Sequence, residues 1–191
     1  GVPRLTGNRL YISGYPHQSA LLRLDPRRLG AEIVWQGDTR RGVACVMSTP
    51  FIEGDYVYGG GPGGRFMCVR LSDGVRMWES FAPSTGNRPA GWSNVFIVKH
   101  QDRFFLANDQ GELSLAYLRP GGYQQIGRTK IIAPTTPLGR RQVVWSHPAF
   151  AQRCVFARNR TIIRPQSVRA SPQCSTLRSA HDTPRRIETQ V

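Results

Sequence analysis

Paired apolar and aromatic residues recur along this chain at one fixed spacing, and that period limits what it can fold into. Leu10-Tyr11, Val57-Tyr58 and Phe104-Phe105 lie 47 residues apart, and Leu24, Leu71 and Leu118 keep the same interval. Val155-Phe156 follows 51 residues after Phe104-Phe105, so a fourth copy begins after a small insertion. Pro3, Pro50 and Pro148 precede these steps, and Trp35 and Trp78 follow the first two. A period in the forties marks units that cannot bury their own apolar faces and must stack on one another.

Each unit reads as four short strands. In the second they are expected at about 43–52, 55–60, 65–71 and 75–81, and in the third at about 92–99, 102–107, 112–118 and 123–132. The stretch from Phe66 to Ser80 shows the pattern best: apolar residues alternate, and Asp73-Gly74 supplies a hairpin turn. A hairpin alone is marginal in water, so it needs its copies. Four strands per repeat of this length is the signature of a β-propeller blade. The expected fold is all-β, with about three to three and a half blades of four antiparallel strands and no closed ring. Residues 1–164 are assigned to this partial propeller, read as a piece of a larger one. From Pro165 the alternation stops, and residues 165–191 are rich in Ser, Thr, Pro, Gln and Arg. Such a segment buries too little apolar area to offset its ordering entropy, so a disordered or aberrant basic tail is expected there.

Charge and motifs narrow the chemistry. The formal net charge is +14, yet the arginines are scattered from Arg4 to Arg186 and never alternate with stacking aromatics. That distribution points away from a nucleic-acid groove and towards solvated surface. Gly59 to Gly64 formally matches a dinucleotide-binding loop, but a strand follows it where a helix is required, so a glycine-rich turn is expected. No CxxC pair or closely spaced histidines suggest a metal, and no nucleophile elbow is present. Cys45 and Cys68 sit in apolar runs and read as small buried residues. Asn159-Arg160-Thr161 is read as an accidental sequon. No apolar run is long enough for a membrane-spanning helix, and the chain opens with no basic-then-apolar leader pattern. No catalytic, cofactor-binding or metal-binding residue is assigned. Trp92, Trp145 and His147 are the candidates for ligand contact, because Trp145-Ser146-His147 echoes Trp92-Ser93-Asn94 ahead of two inner strands, near the channel mouth.

The run Phe66-Met67-Cys68-Val69-Arg70-Leu71-Ser72-Asp73-Gly74-Val75-Arg76-Met77-Trp78 resembles the repeat motif of quinoprotein-like propellers, and Ala20 to Trp35 resembles a longer-turned version. The resemblance covers about residues 3–164. It implies that Trp35 and Trp78 dock one blade on the next. In the third unit Arg119-Pro120-Gly121-Gly122-Tyr123 stands where the motif is expected, and Ile126 is expected in the tryptophan's place. The group includes quinone-dependent alcohol dehydrogenases and a lipoprotein of outer-membrane protein assembly, which implies a periplasmic or cell-envelope setting. The expected function is a non-catalytic module for protein binding or assembly. The alternative is part of a periplasmic quinone-dependent dehydrogenase. No cofactor is expected, because the family's quinone sits against a disulfide of adjacent cysteines and a calcium held by converging oxygens, and this sequence has neither.

Overall fold

The computed structural model describes residues 1–15, 18–45 and 47–167, and its regular structure there is entirely strand. The first sheet has β1 (Arg4–Thr6), β2 (Arg9–Gly14), β3 (Gln18–Asp25) and β4 (Gly30–Gln36). The second has β5 (Phe51–Glu53), β6 (Tyr56–Gly60), β7 (Phe66–Arg70) and β8 (Arg76–Ser80). The third has β9 (Val95–His100), β10 (Arg103–Asn108), β11 (Glu112–Arg119) and β12 (Gly122–Lys130). A hairpin of β13 (Thr136–Leu138) and β14 (Arg141–Val143) precedes a three-stranded sheet of β15 (Ala149–Ala151), β16 (Cys154–Arg158) and β17 (Ile163–Ser167). Strands pair antiparallel in sequence order within each sheet. These are three four-stranded propeller blades followed by a three-stranded fourth, and they do not close into a ring among the described residues.

The period of two along each strand explains the stacking. On one face of blade 1, Tyr11, Leu21 and Trp35 stand in register; in blade 2 the row is Tyr58, Cys68 and Trp78. These rows face the next blade. Trp35 and Tyr11 are buried with Val57, Met67, Val69 and Leu71 of blade 2. Tyr58, Phe66 and Cys68 are buried with Phe104, Leu106, Ala116 and Leu118 of blade 3, and Trp78 packs against them. Blade 3 turns Leu113 and Ala107 towards Val155 and Ala157 of blade 4. A strand apolar on both faces is therefore read as sandwiched between neighbours. Each tryptophan also forms a hydrogen bond across the seam. The Trp35 indole N–H donates to the Leu71 carbonyl at 2.8 Å, and that of Trp78 donates to the Arg119 carbonyl at 2.8 Å. Burying an indole without a partner would leave a costly orphan donor.

Three expectations need correction. Residues 43–45 and 47–50 are not strand: only Phe51–Glu53 pairs with β6. Val43-Ala44-Cys45 is apolar because it plugs the seam between blades 1 and 2, where the Val43 N–H and carbonyl bond the Tyr11 hydroxyl instead of a ladder partner. Ile126 does not replace the tryptophan, since it is 48% exposed. Each fourth strand carries a bulge, and Val34, Met77 and Ile126 occupy it. The residue in register with Trp35 and Trp78 is Gly127, opposite Leu115. Finally, the strand β17 continues through the expected boundary at 164 to Ser167. Pro165 is tolerated because this strand has a partner on one side only among the described residues. The remainder of the expected tail, residues 168–191, lies outside the described residues.

Trp35, only 4% exposed, is expected to cost about 3–5 kcal/mol when changed to Ala, and the half-buried Trp78 about 2–3 kcal/mol. Urea unfolding followed by circular dichroism measures both. An unchanged midpoint for Trp35→Ala would remove the tryptophan's docking role.

Candidate functional site

In every blade the start of the first strand and the turn between the second and third lie at one end of the sheet, as antiparallel order requires. The long connections 37–50, 81–94 and 131–148 gather at that end. The glycine-rich stretch is part of it. Gly59 and Gly60 end β6, and Gly61 to Gly64 form a turn closed by the Gly61 N–H to the Arg65 carbonyl at 2.8 Å. Gly64 has φ +85°, so glycine is required there, and no helix follows.

Trp92 lies over this turn. Its backbone N–H donates to the Pro62 carbonyl at 3.0 Å, and its backbone is left-handed at φ +60°. The ring is 43% exposed and stacks on Tyr15 at 4.8 Å between centroids, which forms an exposed aromatic pair between connections of different blades. A non-glycine residue in this conformation is strained, and such strain persists only where surroundings fix it. Here the Gly91 carbonyl also accepts from Arg141 at 2.8 Å.

His147 is exposed and sits elsewhere. It lines a cleft of about 230 Å³ with Arg4, Thr49, Phe51 and Ile97, where inner strands converge. Its ring lies 5.0 Å from Phe96. Nδ1 is 2.7 Å from the Pro148 carbonyl, an acceptor only, so Nδ1 carries the proton and Nε2 is the free ring nitrogen. Trp145 is half-buried, and its indole nitrogen is buried without a hydrogen-bond partner. Neither tryptophan lines the His147 cleft, so the three candidates share one end of the arc without forming one cluster. His17 and His181 lie outside the described residues.

The strongest electrostatic feature of this end was not visible in the sequence. Asp109, in the turn after β10, has a fully buried side chain. Its carboxylate accepts from Arg141 at 2.8 Å and from the Ser93 hydroxyl at 3.2 Å. Arg141 comes from the β13–β14 hairpin, inside the insertion that lengthens the fourth repeat interval. Beside it, Asn108 donates to Glu112 and to the Ser84 carbonyl, both at 2.9 Å. Burial raises the Asp109 pKa above its ordinary 3.8, with Arg141 and Ser93 opposing the shift. In the repeat Asn108-Asp109-Gln110 stands where blade 2 has Gly61-Pro62-Gly63, a polar replacement that does not by itself show burial. Cys45 and Cys68 are buried free thiols, as expected, and burial pushes each up to about 11.

No family model and no curated protein matches the chain. Solved structures do. BamB from Moraxella catarrhalis superposes with TM-score 0.55 at 14% identity, over 83% of this chain and 40% of that one. The quinohemoprotein alcohol dehydrogenase of Comamonas testosteroni gives TM-score 0.51 at 13% identity, over 81% of this chain and 28% of that one. The fold is a β-propeller, as in these structures. The chain spans less than half of either structure, and at this identity the likeness concerns the fold alone.

Arg141→Ala would leave the buried Asp109 charge unpaired, at a cost of about 3 kcal/mol near neutral pH. A carboxyl whose folded pKa is raised favours the folded state most below its unfolded value, and that contribution falls as pH rises through the folded value. The variant's deficit should therefore be largest at pH 7 and shrink as the pH falls from there towards 3.8, as Asp109 takes up its proton. Urea midpoints across that range check it; a pH-independent deficit would contradict an ionised, desolvated Asp109.

Proposed function

We propose that this chain is a non-catalytic propeller module for protein binding or assembly, and that its docking surface includes the outward face of blade 1. The observation that carries this reading is a mismatch in burial at equivalent positions. In blade 2, Val57, Val69 and Leu71 are fully buried against blade 1. The residues 47 positions earlier, Leu10, Leu22 and Leu24, are only half-buried, and Ile33 and Leu5 beside them are 55% and 62% exposed. The backbone matches as well: the Leu24 N–H donates to Asn8 as that of Leu71 does to Asp55, both at 2.7 Å. An apolar sheet face that repeats the buried face of blade 2 suits a partner that docks as a further blade would. BamB's superposition over four-fifths of the chain supports the propeller fold on which this reading rests.

The alternative, part of a quinone-dependent dehydrogenase, rests on the likeness to the alcohol dehydrogenase. The described residues do not suit a calcium–quinone site. The one fully buried carboxylate described, Asp109, is engaged by Arg141 and Ser93, and no group of three potential metal ligands occurs among the described residues. Cys45 and Cys68 lie in different seams. No chemical step is therefore assigned to such a cofactor.

A tandem chain with residues 1–47 repeated ahead of Gly1 tests the docking face, because it keeps the repeat interval and offers a second Trp35 to the Leu24 carbonyl. The added repeat is expected to resist trypsin, and Leu10→Glu with Leu22→Glu in the original copy should expose it to cleavage. Removal of the added repeat from the unmodified tandem chain, by cleavage as far as its Arg41, would contradict the reading.

A further inference from the structure

The two tryptophan seams show what belongs between two blades of this chain, and the third seam lacks it. Three rows correspond in register: Tyr11, Leu21 and Trp35; Tyr58, Cys68 and Trp78; Phe105, Leu115 and Gly127. The first two members of each row are spaced 47 residues from their copies, so the correspondence is not a matter of alignment choice. Gly127 replaces an indole with a hydrogen atom. A Cβ built on it would meet nothing within 4 Å, and its backbone is outside the left-handed region that demands glycine. Neither conformation nor crowding accounts for a glycine here.

What remains at that seam is an open cleft of about 260 Å³, with Phe105, Leu113 and Leu115 of blade 3 and Val155 of blade 4 as its apolar walls, and Gly127, Arg128, Thr129, Gln166 and Ser167 along its solvent side. An enclosed apolar cavity of roughly 150 Å³ accepts benzene, and this larger cleft, open on one side, has room for a bicyclic ring with one edge in solvent. Its walls are those that sandwich an indole elsewhere in the chain: an aromatic and a branched aliphatic from one blade, a valine from the next. Gln166 contributes the polar atoms that a ring N–H would need. The chain itself offers no obvious plug, since residues 168–191 contain no Phe, Tyr or Trp.

We propose that this seam is a binding site for an indole group, a flat bicyclic aromatic with one N–H donor. The ligand completes the third blade–blade contact in the way Trp35 and Trp78 complete the first two. Occupancy couples to the rigidity of the seam, because a group held between two blades stabilises their mutual packing. The site is independent of the blade 1 face, so failure of either reading leaves the other standing.

Saturation-transfer NMR with the full chain tests it, using free indole and N-acetyltryptophanamide as probes. Saturable binding of indole is expected. Comparable binding of the amide would mean that the side chain of a tryptophan-bearing peptide fits; binding of indole alone would mean a small-molecule source. Gly127→Trp should reduce indole affinity at least ten-fold while raising the urea midpoint, and Gly127→Ala should leave affinity within about two-fold. Gly127→Leu, a smaller plug, provides the same readout if the tryptophan variant does not fold. Absence of saturable binding by both probes, or binding that Gly127→Trp and Gly127→Leu leave intact, would overturn the proposal.

Discussion

The structure depends on a sheet being apolar on both sides while water is available on neither. A four-stranded blade of this length cannot satisfy that condition alone, and only a neighbour of the same kind supplies the second wall. The tryptophan at the end of the fourth strand makes the contact specific as well as apolar. Its ring fills the space between blades, and its N–H reaches the carbonyl at the end of the neighbour's third strand, Leu71 for Trp35 and Arg119 for Trp78. Area burial alone would let blades slide; a fixed donor and acceptor set their register. Arginines add to the same task. Arg41 lies over the Trp35 ring at 5.4 Å, and Arg4 lies over Phe51 at 5.9 Å, joining blades 1 and 2. Arg9 reaches Asp55 of the next blade, and Lys99 pairs with Glu53 at 2.6 Å. Much of the scattered positive charge thus packs on rings and caps carbonyls, which explains a high charge without a single basic stripe.

How much of this was legible in the sequence follows from what repeats and what does not. The Leu10, Val57 and Phe104 steps and the Asp73-Gly74 turn recur or follow backbone rules, so the blade repeat and its strand order could be read directly, whereas the docking role of Trp35 came from the family resemblance. The buried thiols were legible for the same reason. Features that occur once were not. The plug at Val43 to Cys45 looks like a strand because it is apolar, but its backbone bonds a tyrosine hydroxyl. The bulge in each fourth strand shifts register by one, so Ile126, rather than Gly127, seemed to stand in the tryptophan's place. An aspartate in a turn gave no sign of burial, because its partner Arg141 arrives from a hairpin 32 residues away.

The loop end and the seams therefore carry different kinds of information. Seams are built from repeated rows and tolerate little change. The loop end is built from connections of unequal length, and there Trp92, Tyr15, His147 and the Asp109–Arg141 pair depart from the repeat. Side chains that break a repeat are free to serve a partner, and those that keep it hold the scaffold. Gly127 is the exception that joins the two, since it breaks the repeat inside a seam and leaves an open cleft there.

The central claim is that indole N–H groups lock successive blades together. Hydrogen exchange of the four tryptophan indole protons, followed by NMR on the intact chain, reads this directly. The account predicts slow exchange for Trp35 and Trp78, governed by opening of the seams, and fast exchange for the exposed Trp92. Exchange of Trp35 and Trp78 as rapid as that of Trp92 would contradict it.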